Sequence, residues 1–526
     1  MVLPAGRGEM LNRIAGGQGR DSGALPALST AGRRWTVAGI AAAVAVGGVL
    51  GVAVLLVGPV PVLLGIAGVG VALLAFRYPE ALVVLMLALG SQLVPSRLNF
   101  FVDAVVGRFQ VSDLLLFWLL FVAVLRVTME KGFRFRRTPL DVPLVLFYAA
   151  VLGGLATAVL GFGVNFNNAT YEARTLASYL VFIPITTLVR TRAQVRRLAL
   201  GTMAVAVLMA VSMLLQSAVQ PAFLADDWVV EGTGIVRIFH PGFSVVYVGL
   251  MMVAGYAAAR GREEPGRAWR RWATMLLLAT ALFSTLARNL LVAAVISFGL
   301  LALLMHGRER RNVWRTVVGL AVSLGVLLGF LALVFETSSV AEYATAYAGR
   351  LESMFSSEIL SRDENLFSRW EEMRFALLKL AESPILGIGL YSPYRPAFYV
   401  GEDLTLRHFI HNAYLGLWLK TGLVGLGAFL WLSAAFLRYG FRRWQGVPEP
   451  LLRGVALGSL VAYVGLLFTN FVAPSFVQAG SLAIMGVTLG LTASILLVGD
   501  TPPPAPPLND GEGGEGGGLP LPRPLP

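Results

Sequence analysis

A succession of long apolar runs constrains this chain more than any other feature. A hydrocarbon core of about 30 Å needs roughly 20 residues of apolar helix to cross it, and lipid leaves every backbone amide to be satisfied within its own segment. The sequence therefore predicts an all-α, polytopic transmembrane helical bundle of about 12–14 spans. The runs fall at 35–57, 59–76, 80–95, 110–126, 141–162, 172–189, 197–218, 240–259, 271–286, 288–306, 316–336, 411–437, 451–472 and 476–497.

Composition supports a membrane protein and excludes several kinds of chemistry. The chain is 56% hydrophobic and 14% charged, with a mean hydropathy of +0.72, far from the values of soluble domains. It contains no cysteine, which excludes disulfides, thiolate metal sites and cysteine nucleophiles. The net charge is +12, but the basic residues collect in short loops between apolar runs. The positive-inside rule accounts for that placement, so we expect no nucleic-acid partner.

The same basic loops predict how the chain is oriented and divided. Loops at 126–137, 190–197, 260–271, 308–315 and 438–443 are assigned to the cytoplasm, together with both termini. The predicted parts are a basic cytoplasmic segment at 1–34, a first part of the bundle at 35–336, a large extracytoplasmic loop at 337–410, a last part of the bundle at 411–498 and a Pro/Gly-rich tail at 499–526. The tail is expected to be disordered because its composition cannot bury a core.

The large loop contains a predicted amphipathic helix over 365–380. Its apolar residues recur at spacings of four and three, with charged residues, including Glu371 and Glu372, on the other faces. We expect this helix to lie on the bundle or in the interface and to roof a cavity. Pro384, Gly387 and Gly389 predict a turn after it. The apolar positions are Leu366, Trp370, Met373, Leu377 and Leu380.

Two of the four histidines lie where this loop meets the next apolar helix. His411 begins that helix with Asn412, and Tyr414 is predicted to share a face with the imidazole. A titratable ring at a water–lipid boundary is a candidate general base. The alternative is that His411 only caps the helix start. His408 and His240 are secondary candidates.

Three arginines are assigned to the outer side, where the positive-inside rule does not explain them: Arg237, Arg288 and Arg369. An arginine near the bilayer needs a carboxylate partner or an anionic ligand, and its planar fork suits a bidentate phosphate contact. No His-x-x-x-His pattern and no phosphate-binding glycine loop occurs in the sequence, so we expect neither a metal nor a cofactor. The nearest approach to a metal site is the pair Asp226-Asp227.

The sequence HNAYLGLWLKTGLVGLGAFL from residue 411, preceded by SPILGIGL from residue 383, resembles the O-antigen ligase and O-antigen polymerase superfamily. The resemblance implies metal-independent transfer of a glycan from a polyprenyl-diphosphate carrier to a glycan or lipid acceptor, outside the bacterial cytoplasmic membrane. It also implies that His411 is the catalytic base and that Arg288 and Arg369, with Arg237 as a weaker match, bind the diphosphate. Asn412 and Tyr414 would support the histidine. Lys420 departs from the family pattern, since an acidic residue is common at its position.

The acceptor stays open at this stage. A ligase acting on lipid A core, a polymerase that extends a lipid-linked glycan and a protein O-oligosaccharyltransferase would all use the same donor. A transporter or flippase of lipid-linked sugars is the alternative from a different class, with the arginines as contacts to the headgroup.

Overall fold

The computed structural model describes residues 68–70, 73–94, 101–104, 107–219, 228–229, 236–237, 240–260, 265–285, 287–334, 364–397 and 407–499. The chain divides into two compact units, Met1–Val71 and Ala72–Pro526, and nearly all the described residues belong to the second. The segment 1–34, the pair Asp226-Asp227 and the tail from residue 500 lie outside the described residues, so the predictions for them stay predictions.

The described residues of the second unit lie mainly in helices. Two short antiparallel ladders accompany them, with β1 (Phe101–Ala104) paired to β2 (Gly107–Gln110) and β3 (Trp228–Val229) paired to β4 (Val236–Arg237). The helices are α1 (Pro79–Gly90), α2 (Val111–Met129), α3 (Asp141–Ala156), α4 (Phe166–Leu176), α5 (Phe182–Leu188), α6 (Arg192–Val219), α7 (Phe243–Ala259), α8 (Pro265–Ser284), α9 (Arg288–Leu304), α10 (Gly307–Val334), α11 (Glu364–Leu380), α12 (Ala413–Arg443), α13 (Pro450–Thr469) and α14 (Leu482–Gly499).

The predicted all-α, polytopic architecture is confirmed. Within the described residues, six helices are long and apolar enough to cross a bilayer, namely α2, α3 with the turn that follows it, α6, α12, α13 and α14. α1, α7 and α9 are apolar but shorter. The number of 12–14 spans stays a prediction. The run expected at 172–189 is helical from residue 166 to residue 188, with a tighter 3₁₀ turn at Ala177–Val181 between α4 and α5.

The centre of the bundle is the contact of α13 with α7 and α9. At Gly454 and Gly458 a side chain would overlap the backbone of α7, so only glycine permits this close approach. α9 runs antiparallel to α13, because Ser297 Oγ donates to Val461 O at 2.7 Å while Ala293 lies beside Gly465. This register fixes which ends of the two helices lie together.

α12 is broken at Gly422, where φ is +70° and ψ is −178°. The break removes the helical bond between Leu423 N–H and Leu419 O. Both groups are instead satisfied by the turn after α11: Leu423 N–H donates to Ile385 O at 3.0 Å, and Leu419 O accepts from Ile388 N–H at 2.7 Å. A missing hydrogen bond within one helix is thus replaced by two bonds to the loop.

We expect Gly422→Ala to destabilise the protein, because its backbone lies in a region that only glycine adopts readily and a Cβ would overlap Ile385 O. The strain alone costs about 1–3 kcal/mol. Gly427→Ala is the matched control: it lies on the same helix with nothing within 4 Å of the added Cβ, so it should be neutral or stabilising. Thermal unfolding in detergent measures both variants. Equal midpoints would contradict the proposed importance of the break.

Candidate active site at the start of α12

Asn412, not His411, caps α12. Its Oδ1 accepts hydrogen bonds from the N–H groups of Tyr414 at 3.0 Å and Leu415 at 3.1 Å. The next residue, Ala413, donates its N–H to Asn470 O at 2.9 Å, just beyond the end of α13. The capping function that the sequence left open for His411 is therefore performed by its neighbour.

His411 is held by a buried carboxylate from the loop helix. Glu372 on α11 accepts the backbone N–H of His411 at 3.1 Å and lies 2.9 Å from its Nδ1. The Glu372 side chain is 5% exposed, whereas that of His411 is 34% exposed. Because an ionised carboxylate only accepts hydrogen bonds, it keeps the proton of a neutral imidazole on Nδ1. Nε2 then has a lone pair, and it hydrogen-bonds to nothing in the described part of the chain.

The predicted amphipathic helix is present as α11, and its two sides differ in burial. Glu372, Ala376 and Leu380 are buried, whereas Trp370 and Leu377 are 63% and 53% exposed. Glu372 therefore reaches His411 from the buried side of the helix. That α11 roofs a cavity stays a prediction.

Beneath the Glu372–His411 pair, α11 packs on α12 through one apolar cluster. It includes Ala376, Leu380, Ile388, Tyr394, Ile410 and Leu419. Trp418 Nε1 donates to Pro384 O at 2.7 Å, which ties the turn to α12. Tyr414 OH donates to Leu467 O at 2.6 Å, so this predicted supporting residue joins α12 to α13. These contacts hold the imidazole in a defined position.

Two of the three predicted arginines lie at the end of the bundle that carries His411. Arg369 lies one turn before Glu372 on the same face of α11. Arg288 is the first residue of α9, and the antiparallel register with α13 places it at the end of the bundle where Asn470 binds the start of α12. Arg237 is placed only by its backbone, in β4 opposite Trp228.

Lys420, the departure from the family pattern, has a local explanation. Its ammonium group pairs with Glu172 on α4, and the two side chains are 12% and 16% exposed. The other Glu172 oxygen accepts the N–H of Tyr391 at 2.5 Å. Tyr391 in turn stacks on the ring of His408, with centroids 3.7 Å apart. The positive charge at position 420 is thus matched by an acidic residue from another helix.

His240 has a structural function. Its Nδ1 accepts the N–H of Gly242 at 3.1 Å just before α7 begins. Burial lowers the pKa of His240 to about 4, since desolvation penalises the charged ring. The ring is therefore neutral at pH 7 and acts as an acceptor at the start of that helix. Within the described ranges, no group of three or more acidic or histidine side chains could hold a metal ion.

Sequence reasoning missed Glu372. It lies three residues after Arg369 and thus one turn along the same helix face, which is the one sequence signal that pointed to it. Its partner is 39 residues away in the chain. No local pattern predicts such a pair.

The segment that carries the Glu372–His411 pair matches a known protein family. Residues 273–430 match the family model described as O-antigen ligase. The match runs from α8 into α12 and includes Arg288, Arg369, Glu372 and His411, whereas Arg237 precedes it. It confirms the resemblance to the O-antigen ligase and polymerase superfamily for this part of the chain. No curated protein matches the chain by sequence.

The geometry predicts the tautomer of His411. With Glu372 as acceptor, the neutral ring should carry its proton on Nδ1 in more than about nine-tenths of molecules, because a charge-assisted hydrogen bond contributes roughly 1.5–3 kcal/mol. ¹⁵N NMR of histidine-labelled protein measures this, and only four histidines contribute signals. The His411 signal is identified by its loss in His411→Asn.

Glu372→Gln should give a mixture of tautomers, since an amide can present either a donor or an acceptor to the ring. Glu371→Gln is the control, because Glu371 pairs with the exposed Arg374 at 3.4 Å. A proton found mainly on Nε2 in the unmutated protein would contradict the pair as described.

Proposed function

From the O-antigen ligase segment at 273–430 we infer that this membrane protein is a glycan-transferring enzyme. We propose that it moves a glycan from a polyprenyl diphosphate, such as undecaprenyl diphosphate, to an acceptor hydroxyl on the extracytoplasmic side of the bacterial cytoplasmic membrane. The strongest support is the Glu372–His411 pair, which presents an oriented ring nitrogen at the partly exposed end of the bundle. A base oriented by a carboxylate is the arrangement that activates a hydroxyl nucleophile.

In the proposed reaction, Nε2 of His411 accepts the proton of the acceptor hydroxyl while its oxygen attacks the anomeric carbon of the donor. The bond from that carbon to the diphosphate oxygen breaks, and the diphosphate leaves with the electron pair. Glu372 stabilises the imidazolium that forms. Arg288 and Arg369, with Arg237 as a third candidate, would stabilise the charge on the leaving group. One displacement inverts the anomeric centre, and no metal is required.

The pair also bears on the alternatives. A transporter or flippase of lipid-linked sugars needs contacts to the headgroup along a path, whereas a transferase needs a proton acceptor beside the reacting hydroxyl. The Glu372–His411 pair provides such an acceptor and therefore supports the enzyme. The donor chemistry is shared by ligation to a lipopolysaccharide core, by polymerisation and by transfer to a protein hydroxyl. We propose the ligase or polymerase activity ahead of the protein acceptor, as the family description supports.

The first test is removal of the base. His411→Ala and His411→Asn should each lower glycan transfer by roughly 10²–10⁴-fold while donor binding persists, because the arginines supply the diphosphate contact. Asn412 still caps the helix and the backbone N–H of residue 411 still donates to Glu372, so both variants should fold. His411→Asn should be the more stable of the two, because its amide can replace the ring donor to Glu372. Transfer from a purified polyprenyl-diphosphate oligosaccharide is followed by mass analysis, with donor binding measured alongside.

The exposed His306 supplies the matched control, and His306→Ala should behave like the unmutated protein. Robust turnover by His411→Asn would remove His411 from the mechanism.

The second test concerns the planar guanidinium group of Arg288. Arg288→Lys keeps the charge but cannot make a bidentate contact to a diphosphate, so donor affinity should fall by about tenfold or more. Arg308→Lys, at an exposed position after the other end of α9, is the control and should leave affinity unchanged. Donor affinity of the Arg288→Lys protein equal to that of the control would assign Arg288 to charge or packing alone.

A further inference from the structure

A cavity of about 210 Å³ lies beside the candidate base, between α4, the first turns of α12 and the segment 474–479. A site of this size has room for several water molecules or for one ring-sized ligand such as a sugar. The segment 408–410, directly before His411, forms part of its wall.

Phe409 connects this cavity to the imidazole. Phe409 lines the cavity, and its ring packs edge-to-face on His411 with centroids 4.9 Å apart. The hydrogen bond from Tyr394 OH to Phe409 O, at 2.9 Å, fixes the backbone at this point. One residue thus contacts both the cavity and the imidazole.

The cavity wall carries both apolar surface and hydrogen-bonding groups. The paired Glu172 and Lys420 offer an acceptor and a donor, and Tyr171 adds an aromatic surface. The Gln478 side-chain amide also lines the cavity and makes no hydrogen bond within the described part of the chain. An aliphatic chain would leave that amide without a partner, at a cost in binding, whereas a hydroxyl-bearing ring would satisfy it.

We propose that this cavity binds one pyranose ring of the acceptor glycan, next to the hydroxyl that His411 would activate. This inference rests on the proposed transfer activity. The candidate diphosphate-binding arginines lie on β4, α9 and α11, none of which lines the cavity, so its occupant belongs to the acceptor.

The parts of the chain that form the cavity walls indicate that the cavity selects among sugars. Residues 408–421 lie within the segment that matches the O-antigen ligase family, whereas the walls from α4 and 474–479 lie outside it. The base thus comes from the matched segment and half of the sugar site from other parts of the chain. Gln478 and the Glu172–Lys420 pair would select among sugars by hydrogen bonding.

Because the chain contains no cysteine, a single introduced thiol reports on the cavity. Val477 lines it, so Val477→Cys places a thiol at the wall and leaves Gln478 intact. Val472→Cys is the matched control, five residues earlier in the same loop, 37% exposed and not part of the lining. Maleimide labelling is timed with methyl glycosides of glucose, galactose, mannose, rhamnose and N-acetylglucosamine at about 100 mM, and separately with farnesol.

A bound glycoside slows labelling by a factor of one plus the ratio of ligand concentration to dissociation constant, about tenfold for a constant near 10 mM. We expect this protection from at least one glycoside at Val477→Cys, none at Val472→Cys, and its loss when Gln478→Leu is added. No protection by any glycoside, or protection by farnesol alone, would overturn the proposal.

Labelling requires no turnover, so the two hypotheses fail separately. Protection without glycan transfer would refute the proposed activity and retain the sugar site, whereas transfer without protection would refute the sugar site alone. Filling the cavity gives a second measurement: Val477→Phe should raise the KM for acceptor at least tenfold with donor affinity unchanged, and Val472→Phe should not. An unchanged KM in Val477→Phe would equally count against the site.

Discussion

The break in α12 is the constraint on which the site depends. A helix interrupted at Gly422 within an apolar span must satisfy Leu419 O and Leu423 N–H with protein groups, since lipid offers none. The turn at 385–388 supplies both partners. The same turn follows directly after α11 in the chain. The hydrogen bonds that satisfy the backbone of α12 therefore also fix the position of α11.

Once α11 is anchored there, its buried face meets the start of α12, and Glu372 reaches His411. A carboxylate that is 5% exposed is costly unless hydrogen bonds satisfy it, and two donors from His411 do so. Asn412 satisfies the first amides of α12, which leaves the histidine for this pairing. The position of the imidazole thus depends on backbone bonding further along the same helix.

Buried ion pairs join the helices around this end of the bundle. Arg174 on α4 pairs with Asp113 on α2 at 3.0 Å, while Glu172, two residues earlier, pairs with Lys420 on α12. Charged side chains within apolar helices are tolerated when they are paired in this way. α4 therefore connects α2 to α12, and it also forms a wall of the cavity beside His411.

The sequence by itself determined the helical architecture, the amphipathic segment and the turn at Pro384, Gly387 and Gly389, because these depend on hydrophobicity, helical periodicity and local backbone preferences. His411 was singled out as a candidate by its place at a helix start and by a family resemblance. Only the tertiary structure decided that Glu372 is the partner of His411, that Trp370 faces outwards and that Lys420 meets Glu172. The two pairings join residues 39 and 248 positions apart. Periodicity describes one helix at a time, whereas its rotation and its partners are set by hydrogen bonds to distant segments.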